Sequence, residues 1–267
     1  MQAMRDQDIA DADEAAKDRR FVTSLARGLD VLRCFRPGDA GLGNMEIARR
    51  TGLPKPTISR LTFTLTQLGY LTCSERDGTY GLGPGVLALG YAALSGLDIR
   101  ERARPFLQEL SNAVDATVAL GARDRLEAVY LEVCRGPAPV TLRIDIGTRN
   151  PLPPTAMGRA LLAGLPADER ASLMRQVESH TADRAAYETL ARGVERAVRD
   201  VAERGFCMSV GEWRPDVNAV GVPLVARDRS VYGLICGGPA FRLPREKLEQ
   251  ECGPPLAALV KRIAAAV

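Results

Sequence analysis

Histidine is almost absent from this chain of 267 residues, which carries one, at position 180. A hydrolytic triad needs a histidine base beside its nucleophile, and His180 lies in the polar stretch ESHTADR, where a solvated loop residue is the simpler interpretation. The sequence has no Walker loop, metal-binding histidine pair or reactive cysteine motif, and Val86 breaks the spacing of a dinucleotide loop in GLGPGVLALG. The sequence therefore argues against an enzyme and predicts no catalytic residue, cofactor or metal.

Long apolar runs are also missing. No segment of about 18 apolar residues is present and the N-terminus is charged, so we expect neither a membrane span nor a secretory signal. The six cysteines are scattered without a C-x-x-C pair, which favours a reducing cytoplasm and gives no zinc-site spacing. With 46% hydrophobic and 26% charged residues, we expect a cytoplasmic protein with one large domain or two modest ones.

The stretch from Asn44 to Tyr70 predicts two helices joined by a tight corner. We expect Asn44 to cap the first helix, Gly52 to end it and Pro56 to open the second, which runs to Gly69. Apolar residues at steps of three and four predict the buried stripe of that second helix: Ile58, Leu61, Leu65 and Leu68. Its outer face is then expected to carry Ser59, Arg60, Phe63, Thr64 and Gln67.

Two flanking elements turn this helix pair into a winged helix-turn-helix. Leu71 to Leu82 alternates and carries Asp77-Gly78, a two-residue hairpin turn signal. A further helix is expected to begin near Thr23-Ser24, capped by either residue, with a buried stripe of Leu25, Leu29 and Leu32. This combination predicts DNA binding, with an ordinary helical hairpin as the alternative. Charge adds little, because residues 21–83 hold eight Lys or Arg against five Asp or Glu.

Composition and periodicity divide the chain into four segments. We expect a disordered tail at residues 1–20, the winged helix-turn-helix at 21–83, a linker helix at 84–97 and a second domain at 98–267. The second domain opens with a helix and continues with β-type runs ATVALGAR, LEAVYLEV and VTLRIDIG, then helices, then runs FCMSVGEW, VNAVGVPLVA and VYGLICGG, then a final helix. This order predicts an α+β domain in which helices flank an antiparallel sheet.

Small and polar residues interrupt the apolar runs of the second domain. Thr155 to Gly158 opens a helix directly after PLPP, and the free N–H groups of a helix start can bind an anion. Ser209, Glu212, Trp213 and Asn218 cluster around a strand turn, and Cys236-Gly237-Gly238 ends another strand. These residues either leave space for a ligand or merely permit close packing.

Several motifs in this order resemble the isocitrate lyase regulator (IclR) family of bacterial transcription factors. SLARGLDVLRCF resembles the first helix of the family, NMEIARRTGLPKPTISRL with LGYL its helix-turn-helix, and GTYGLGPGVLALG its wing and linker entry. The stretches NPLPPTAMGRALLAGLP, ERGFCMSVGEWRPDVNAVGVPL and GLICGGPAFRLPREKLE resemble its effector domain. The resemblance runs from about Phe21 to the C-terminus.

The resemblance implies a winged helix-turn-helix, a linker helix and a GAF-like effector domain. It implies a homodimeric or homotetrameric repressor or activator. Such a protein binds double-stranded promoter DNA rather than a membrane, and it responds to a small organic acid. The residues that would contact DNA are Arg27, Lys55, Thr57, Ser59, Arg60, Phe63 and Arg76. The residues that would line the effector pocket are Thr155, Ala156, Met157, Ser209, Glu212, Val217, Ala219, Ile235 and Gly237.

Four positions depart from the family pattern. Phe63 stands where a small or polar residue is more usual, and Ser209 where an acid is common. Ile235 and Gly237 replace serines that hold a carboxylate. We therefore expect a larger and less polar effector than glyoxylate, with an aromatic acid as the favoured class. Two alternatives stay open, an enzyme with an accessory helix-turn-helix and a constitutive DNA binder with a vestigial pocket.

Overall fold

The computed structural model describes residues 20–266, and side chains from 20 to 264. The tail predicted at 1–20 therefore lies, except for Arg20, outside the described residues. The chain forms two compact units, one that ends at Gly96 and one that begins at Leu97.

The first unit contains three helices and a small sheet around one core. The helices are α1 (Thr23–Arg33), α2 (Asn44–Thr51) and α3 (Lys55–Gln67). The strands β1 (Leu42–Gly43), β2 (Leu71–Ser74) and β3 (Thr79–Leu82) form an antiparallel sheet in the order β1-β3-β2. The core consists of Val31, Cys34, Leu42, Ile47, Ile58 and Leu71. This is the predicted winged helix-turn-helix, with β1 as an additional strand.

The predicted stripes of α1 and α3 are partly wrong. Leu25 and Leu29 are 63% and 43% exposed, and α1 instead buries Val31. Leu68 follows the end of α3 and is exposed, whereas Thr62 is fully buried. Thr62 can enter the core because its hydroxyl donates a hydrogen bond of 2.9 Å to the carbonyl of Ile58.

Helix ends and the hairpin turn also differ from expectation. Neither α1 nor α2 has a side-chain cap among the described residues, since Val22 and Gly43 precede them. The end of α2 and the start of α3 are as predicted. Gly52 takes a left-handed φ of 72° after α2, and a proline lies in the first turn of α3. The hairpin connection spans residues 75–78, four residues rather than two, because Ser74 pairs with Thr79. Helix α4 (Pro84–Ser95) follows and buries none of its described residues.

The second unit is built on a six-stranded antiparallel sheet in the order β6-β5-β4-β9-β8-β7. In chain order its elements are α5 (Asp98–Val114), β4 (Thr117–Asp124), β5 (Glu127–Arg135), β6 (Arg149–Pro151), α6 (Ala156–Gly164), α7 (Ala167–His180), α8 (Arg184–Arg204), β7 (Cys207–Val210), β8 (Val217–Val225), β9 (Val231–Pro239) and α9 (Gly253–Ala266). Helices α5 and α9 pack on one face of the sheet, and α6 packs on the other face beneath α8. The α+β class with an antiparallel sheet is therefore confirmed.

Strand β5 serves both faces of the sheet because it contains a β-bulge. Leu120 pairs with Glu132 and Gly121 pairs with Tyr130, so Leu131 is the extra residue. Tyr130 packs in the core beneath α6, whereas Glu132 is buried on the α5 side, where the guanidinium groups of Arg100 and Arg104 pair with it. The bulge therefore sends two residues of the same parity to opposite faces.

Two predictions in this unit need correction, and a third is confirmed. VTLRIDIG forms no strand, and the third strand of this region is the short β6. His180 ends α7 instead of lying in a loop, and its imidazole contacts the carbonyl of Gln176. The predicted final helix is present: a short helix at Arg245–Lys247 and a π-helical turn at Leu248–Cys252 run directly into α9, which begins at Gly253.

Candidate DNA interface and effector cavity

The outer face of α3 is a polar surface with one large apolar side chain. Ser59, Arg60, Thr64 and Gln67 are exposed, as is Lys55 in the first turn, and Thr57 is half-buried. Phe63 projects from the same face with 64% of its surface exposed. The major groove of B-DNA is wide enough to admit an α-helix, so an exposed polar helix such as α3 fits it.

The four cations predicted to contact DNA form no ion pair within the described part of the chain. Arg27, Lys55, Arg60 and Arg76 are exposed, and none forms an ion pair with any residue between 20 and 264. Other arginines of this unit are engaged, since Arg50 pairs with Asp39 at 2.6 Å and Arg49 with Glu46 at 2.6 Å. The four unpaired side chains are therefore available to phosphate or base edges.

Asn44 braces the recognition helix instead of capping α2. Its Nδ2 donates to Ser59 Oγ at 3.4 Å, and its Oδ1 accepts from Thr62 Oγ1 at 3.3 Å. These bonds link the first residue of α2 to α3. The hydroxyl of Ser59 also donates to the carbonyl of Lys55 at 3.2 Å, so its capacity for new contacts is reduced.

A narrow cavity of about 20 Å³ opens in the second unit between the sheet and the start of α6. Seven of the nine predicted pocket residues line it: Thr155, Ala156, Met157, Ser209, Val217, Ala219 and Ile235. Four further residues complete the wall: Tyr130, Leu142, Asn150 and Trp213. The lining contains no lysine, arginine, histidine or carboxylate, so the cavity is apolar with a few neutral polar groups.

The N-terminus of α6 supplies hydrogen-bond donors at this wall. Thr155 caps the helix, because its Oγ1 accepts from the N–H of Gly158 at 3.1 Å. The N–H groups of Ala156 and Met157 have no partner within the described part of the chain. Free N–H groups at a helix start attract an anion, and the helix dipole adds to that attraction.

Tyr130 supplies a neutral hydroxyl to the cavity. The side chain is 3% exposed, and its oxygen accepts from Asn150 Nδ2 at 3.3 Å. Burial raises the pKa of Tyr130 to about 12, and the Asn150 hydrogen bond offsets a part of that effect. The hydroxyl therefore stays protonated at neutral pH and can donate its proton to a ligand.

Glu212 and Gly237 do not line the cavity. Glu212 is held by Arg159, whose Nη1 and Nη2 donate to the two carboxylate oxygens at 2.9 and 2.6 Å. Gly237 faces Ala219 so closely that a Cβ at position 237 would lie 2.9 Å from the Cβ of Ala219. Ser209 does line it, but its hydroxyl already donates to the carbonyl of Pro154 at 2.7 Å.

Sequence reasoning missed part of this wall. Trp213 stood in the polar cluster noted above, but Tyr130, Leu142 and Asn150 were not predicted as pocket residues. Leu142 lies in the segment wrongly predicted as a strand, and Asn150 directly precedes the PLPP motif. A tyrosine among the alternating apolar residues of LEAVYLEV is the one signal that pointed to Tyr130.

Two negative findings apply to the described residues. No group of three or more His, Cys, Asp or Glu side chains is arranged to hold a metal ion. No described helix is both long enough and apolar enough to cross a membrane.

Family models match both units of the chain. Residues 24–73 match the IclR helix-turn-helix domain, and residues 91–265 match the C-terminal domain of the bacterial transcriptional regulator IclR. The chain belongs to the IclR family. The predicted resemblance is thereby confirmed, and with it a role in transcription regulation through DNA binding.

Relatives within the IclR family are named as regulators. The HTH-type transcriptional regulator TsaQ1/TsaQ2 of Comamonas testosteroni is 36% identical over 248 residues, which cover 92% of this chain and 88% of that protein. The Pca regulon regulatory protein of Pseudomonas putida is 29% identical and matches 90% of this chain and 82% of its own length. These names favour a non-enzymatic role.

Solved IclR structures share the fold. An IclR family transcriptional regulator from Brucella abortus is 49% identical, with a TM-score of 0.84 and 94% of each chain covered. An IclR homolog from Microbacterium hydrocarbonoxydans, solved in complex with 4-hydroxybenzoate, has a TM-score of 0.68 and covers 91% of this chain and all of its own. At 21% identity, the second likeness shows the fold alone.

Proposed function

We propose that this IclR-family regulator binds a palindromic promoter site as a homodimer or homotetramer and is switched by a small aromatic acid. The observation that carries the ligand class is the cavity, where free N–H groups meet apolar and aromatic walls without any lining cation. The alternatives of an enzyme and of a vestigial pocket are outcomes of the tests below.

The effector chemistry follows from the cavity lining. A carboxylate would accept hydrogen bonds from the N–H groups of Ala156 and Met157, which is how helix starts hold anions. The cavity would have to widen to admit a ring, which would then lie against Trp213, Met157 and Ile235, and an oxygen substituent would accept from Tyr130. Because no cation lines the cavity, we expect one carboxylate per ligand rather than two. The 4-hydroxybenzoate in the Microbacterium homolog is an acid of this class.

The DNA contacts would come from the first unit. Helix α3 would enter the major groove, and two protomers would read half-sites about 10 base pairs apart or a multiple of that spacing. Arg60 would pair bidentately with a guanine, Lys55, Thr57, Ser59 and Phe63 would contact the same groove, and Arg27 and Arg76 would reach phosphates or the minor groove. These assignments rest on exposure and on the missing ion pairs of the four cations.

Effector binding would act on DNA affinity only if the ligand binds two protomer arrangements unequally. A coupling free energy of about 1–3 kcal/mol is enough for a switch. Helix α4 joins the two units in the chain, so residues 84–97 are the segment through which the change would pass.

The test is binding of the protein to its own upstream DNA at two salt concentrations, with and without a panel of aromatic and aliphatic acids. We expect salt-dependent binding that a monocarboxylic aromatic acid alters and that Arg60→Ala weakens. Arg49→Ala is the matched control, because Arg49 is an exposed arginine of the same unit that is paired with Glu46.

Each negative result has a separate meaning. Absence of DNA binding by the purified protein would support the enzyme alternative, which turnover of a small molecule would then establish. DNA binding that no acid alters, together with no heat in calorimetric titrations, would identify a constitutive binder with a vestigial pocket.

A further inference from the structure

Arg159 of α6 is a buried hub beside the cavity, although it does not line it. Its side chain is 2% exposed, and the described hydrogen bonds use all three of its nitrogens. Nε donates to the carbonyl of Pro153 at 2.9 Å, Nη1 to the carbonyl of Met208 at 2.8 Å, and both terminal nitrogens to the carboxylate of Glu212. A guanidinium that is buried and bidentate is held in one orientation.

Each partner of Arg159 lies within two residues of a cavity residue in the chain. Met208 precedes Ser209, Glu212 precedes Trp213, and Pro153 lies two residues before Thr155. Arg159 itself follows Ala156 and Met157 on the first turn of α6. One side chain therefore connects the segments that supply most of the polar wall.

Glu212 anchors the loop that carries Trp213. In addition to Arg159, Arg196 of α8 donates from Nη2 to both carboxylate oxygens at 3.0 and 2.9 Å. Burial alone would raise the pKa of Glu212, but the hydrogen bonds and charges of Arg159 and Arg196 outweigh it and lower the pKa. Within the described residues, no other side chain of the loop 211–216 forms a hydrogen bond or ion pair with another element.

We propose that Arg159 and Glu212 are positioning residues that hold Trp213 against the cavity and thereby set effector affinity without touching the effector. This inference rests on the proposed function of the cavity. Gly193 of α8 lies directly against Arg159. A Cβ on Gly193 would overlap the guanidinium of Arg159, with 3.0 Å to its Cζ. Helix α8 therefore leaves room for this one side chain.

Trp213 is the only tryptophan in the chain, so its fluorescence reports on this loop alone. The test compares Glu212→Gln with wild type by acrylamide quenching of fluorescence and by calorimetric titration with 4-hydroxybenzoate and benzoate. The matched control is Asp115→Asn, which weakens another carboxylate–arginine pair of the same unit. Asp115 pairs with Arg242 and is 38% exposed, against 30% for Glu212, and neither residue of that pair lines the cavity.

In Glu212→Gln we expect acrylamide to quench Trp213 more strongly than in wild type, and an affinity at least about tenfold lower for an acid that wild type binds, because charge-assisted hydrogen bonds are lost. Asp115→Asn should keep the wild-type quenching and affinity. Binding of DNA without effector should be unchanged in both variants. If Glu212→Gln does not fold, Arg196→Ala serves instead and should raise quenching by a smaller amount.

The two hypotheses fail in different ways. Wild-type quenching of Trp213 in Glu212→Gln, or unchanged affinity for a bound acid, would overturn the positioning role. If wild type binds neither acid, the proposed ligand class is wrong, and the quenching comparison still decides whether Glu212 holds the loop.

Discussion

Tyr130→Phe removes one oxygen atom from the cavity wall and tests how that wall is built. The hydroxyl is buried with the side chain at 3% exposure, and its described hydrogen-bond partner is Asn150. Burial disfavours the phenolate more than the neutral phenol, which is why the pKa of Tyr130 is raised to about 12 from 10.0. The variant has no group that can ionise at this position.

The magnitude follows from proton linkage. Because the folded-state pKa of Tyr130 lies above the unfolded value, the folded protein retains the proton over pH values at which the unfolded chain has lost it. Stability from this group is therefore complete below pH 10 and is lost as the pH rises through about 12. A shift of about two pKa units corresponds to roughly 2–3 kcal/mol in the free energy of unfolding.

The assay is urea denaturation at several pH values between 8 and 12. We expect wild type to lose roughly 2–3 kcal/mol more than Tyr130→Phe over this range, since all other titrating groups are shared. Tyr91→Phe is the control, because Tyr91 is 72% exposed and should follow wild type. Parallel pH curves for wild type and Tyr130→Phe would show that Tyr130 is solvated and that the cavity wall is wrongly described.

Three further predictions concern the recognition helix, its core and the start of α6. Arg60→Ala should relax specificity at one base pair by roughly 1–3 kcal/mol in competition binding, and equal losses on all sequences would reduce Arg60 to a phosphate contact. Ile58→Ala should lower the free energy of unfolding of the first unit by about 2–5 kcal/mol, because the fully buried side chain leaves a void; a loss well under 1 kcal/mol in chemical denaturation would contradict this core. Gly158→Ala should destabilise the second unit by about 1–3 kcal/mol, since its Cβ would overlap the backbone of Leu152. The variant should also bind no acid in calorimetry. Melting and acid affinity equal to those of wild type would contradict this contact.

Local patterns predicted the elements of this fold well. Ile99, Ala103 and Leu110 recur at helical spacing, and all three are buried in α5. The same rule failed for Leu25 and Leu29, because periodicity identifies an apolar face but does not say whether the same unit covers it. Exposure of these leucines therefore depends on packing that no window of sequence contains.

Strand prediction failed where pairing is long-range. VTLRIDIG has the composition of a strand, but β5 pairs with Arg149–Pro151 at that edge of the sheet. The sequence also did not predict the bulge at Leu131, because strict alternation places Tyr130 and Glu132 on the same face of the sheet. Both outcomes are decided by hydrogen bonds between segments and not by the propensities of either segment.

Only the parts of the candidate site that lie in recognisable motifs could be predicted from the sequence. The helix start at Thr155 to Met157 directly follows the PLPP motif, and these three residues line the cavity. Glu212 was placed in the pocket by the resemblance to the IclR family and lies in the polar cluster around a strand turn. Its partner Arg159 lies 53 positions away in the chain, so only the folded structure could show that the carboxylate is already satisfied.

The contact of Arg159 with Gly193 has a consequence for changing this protein. Glycine inside a helix costs about 1 kcal/mol relative to alanine, so Gly193→Ala in α8 looks like an easy way to strengthen the helix. In this fold the added methyl group would collide with the Arg159 guanidinium, and the gain would be lost. A larger residue at position 193 therefore requires a shorter one at position 159, so the two positions have to be changed together.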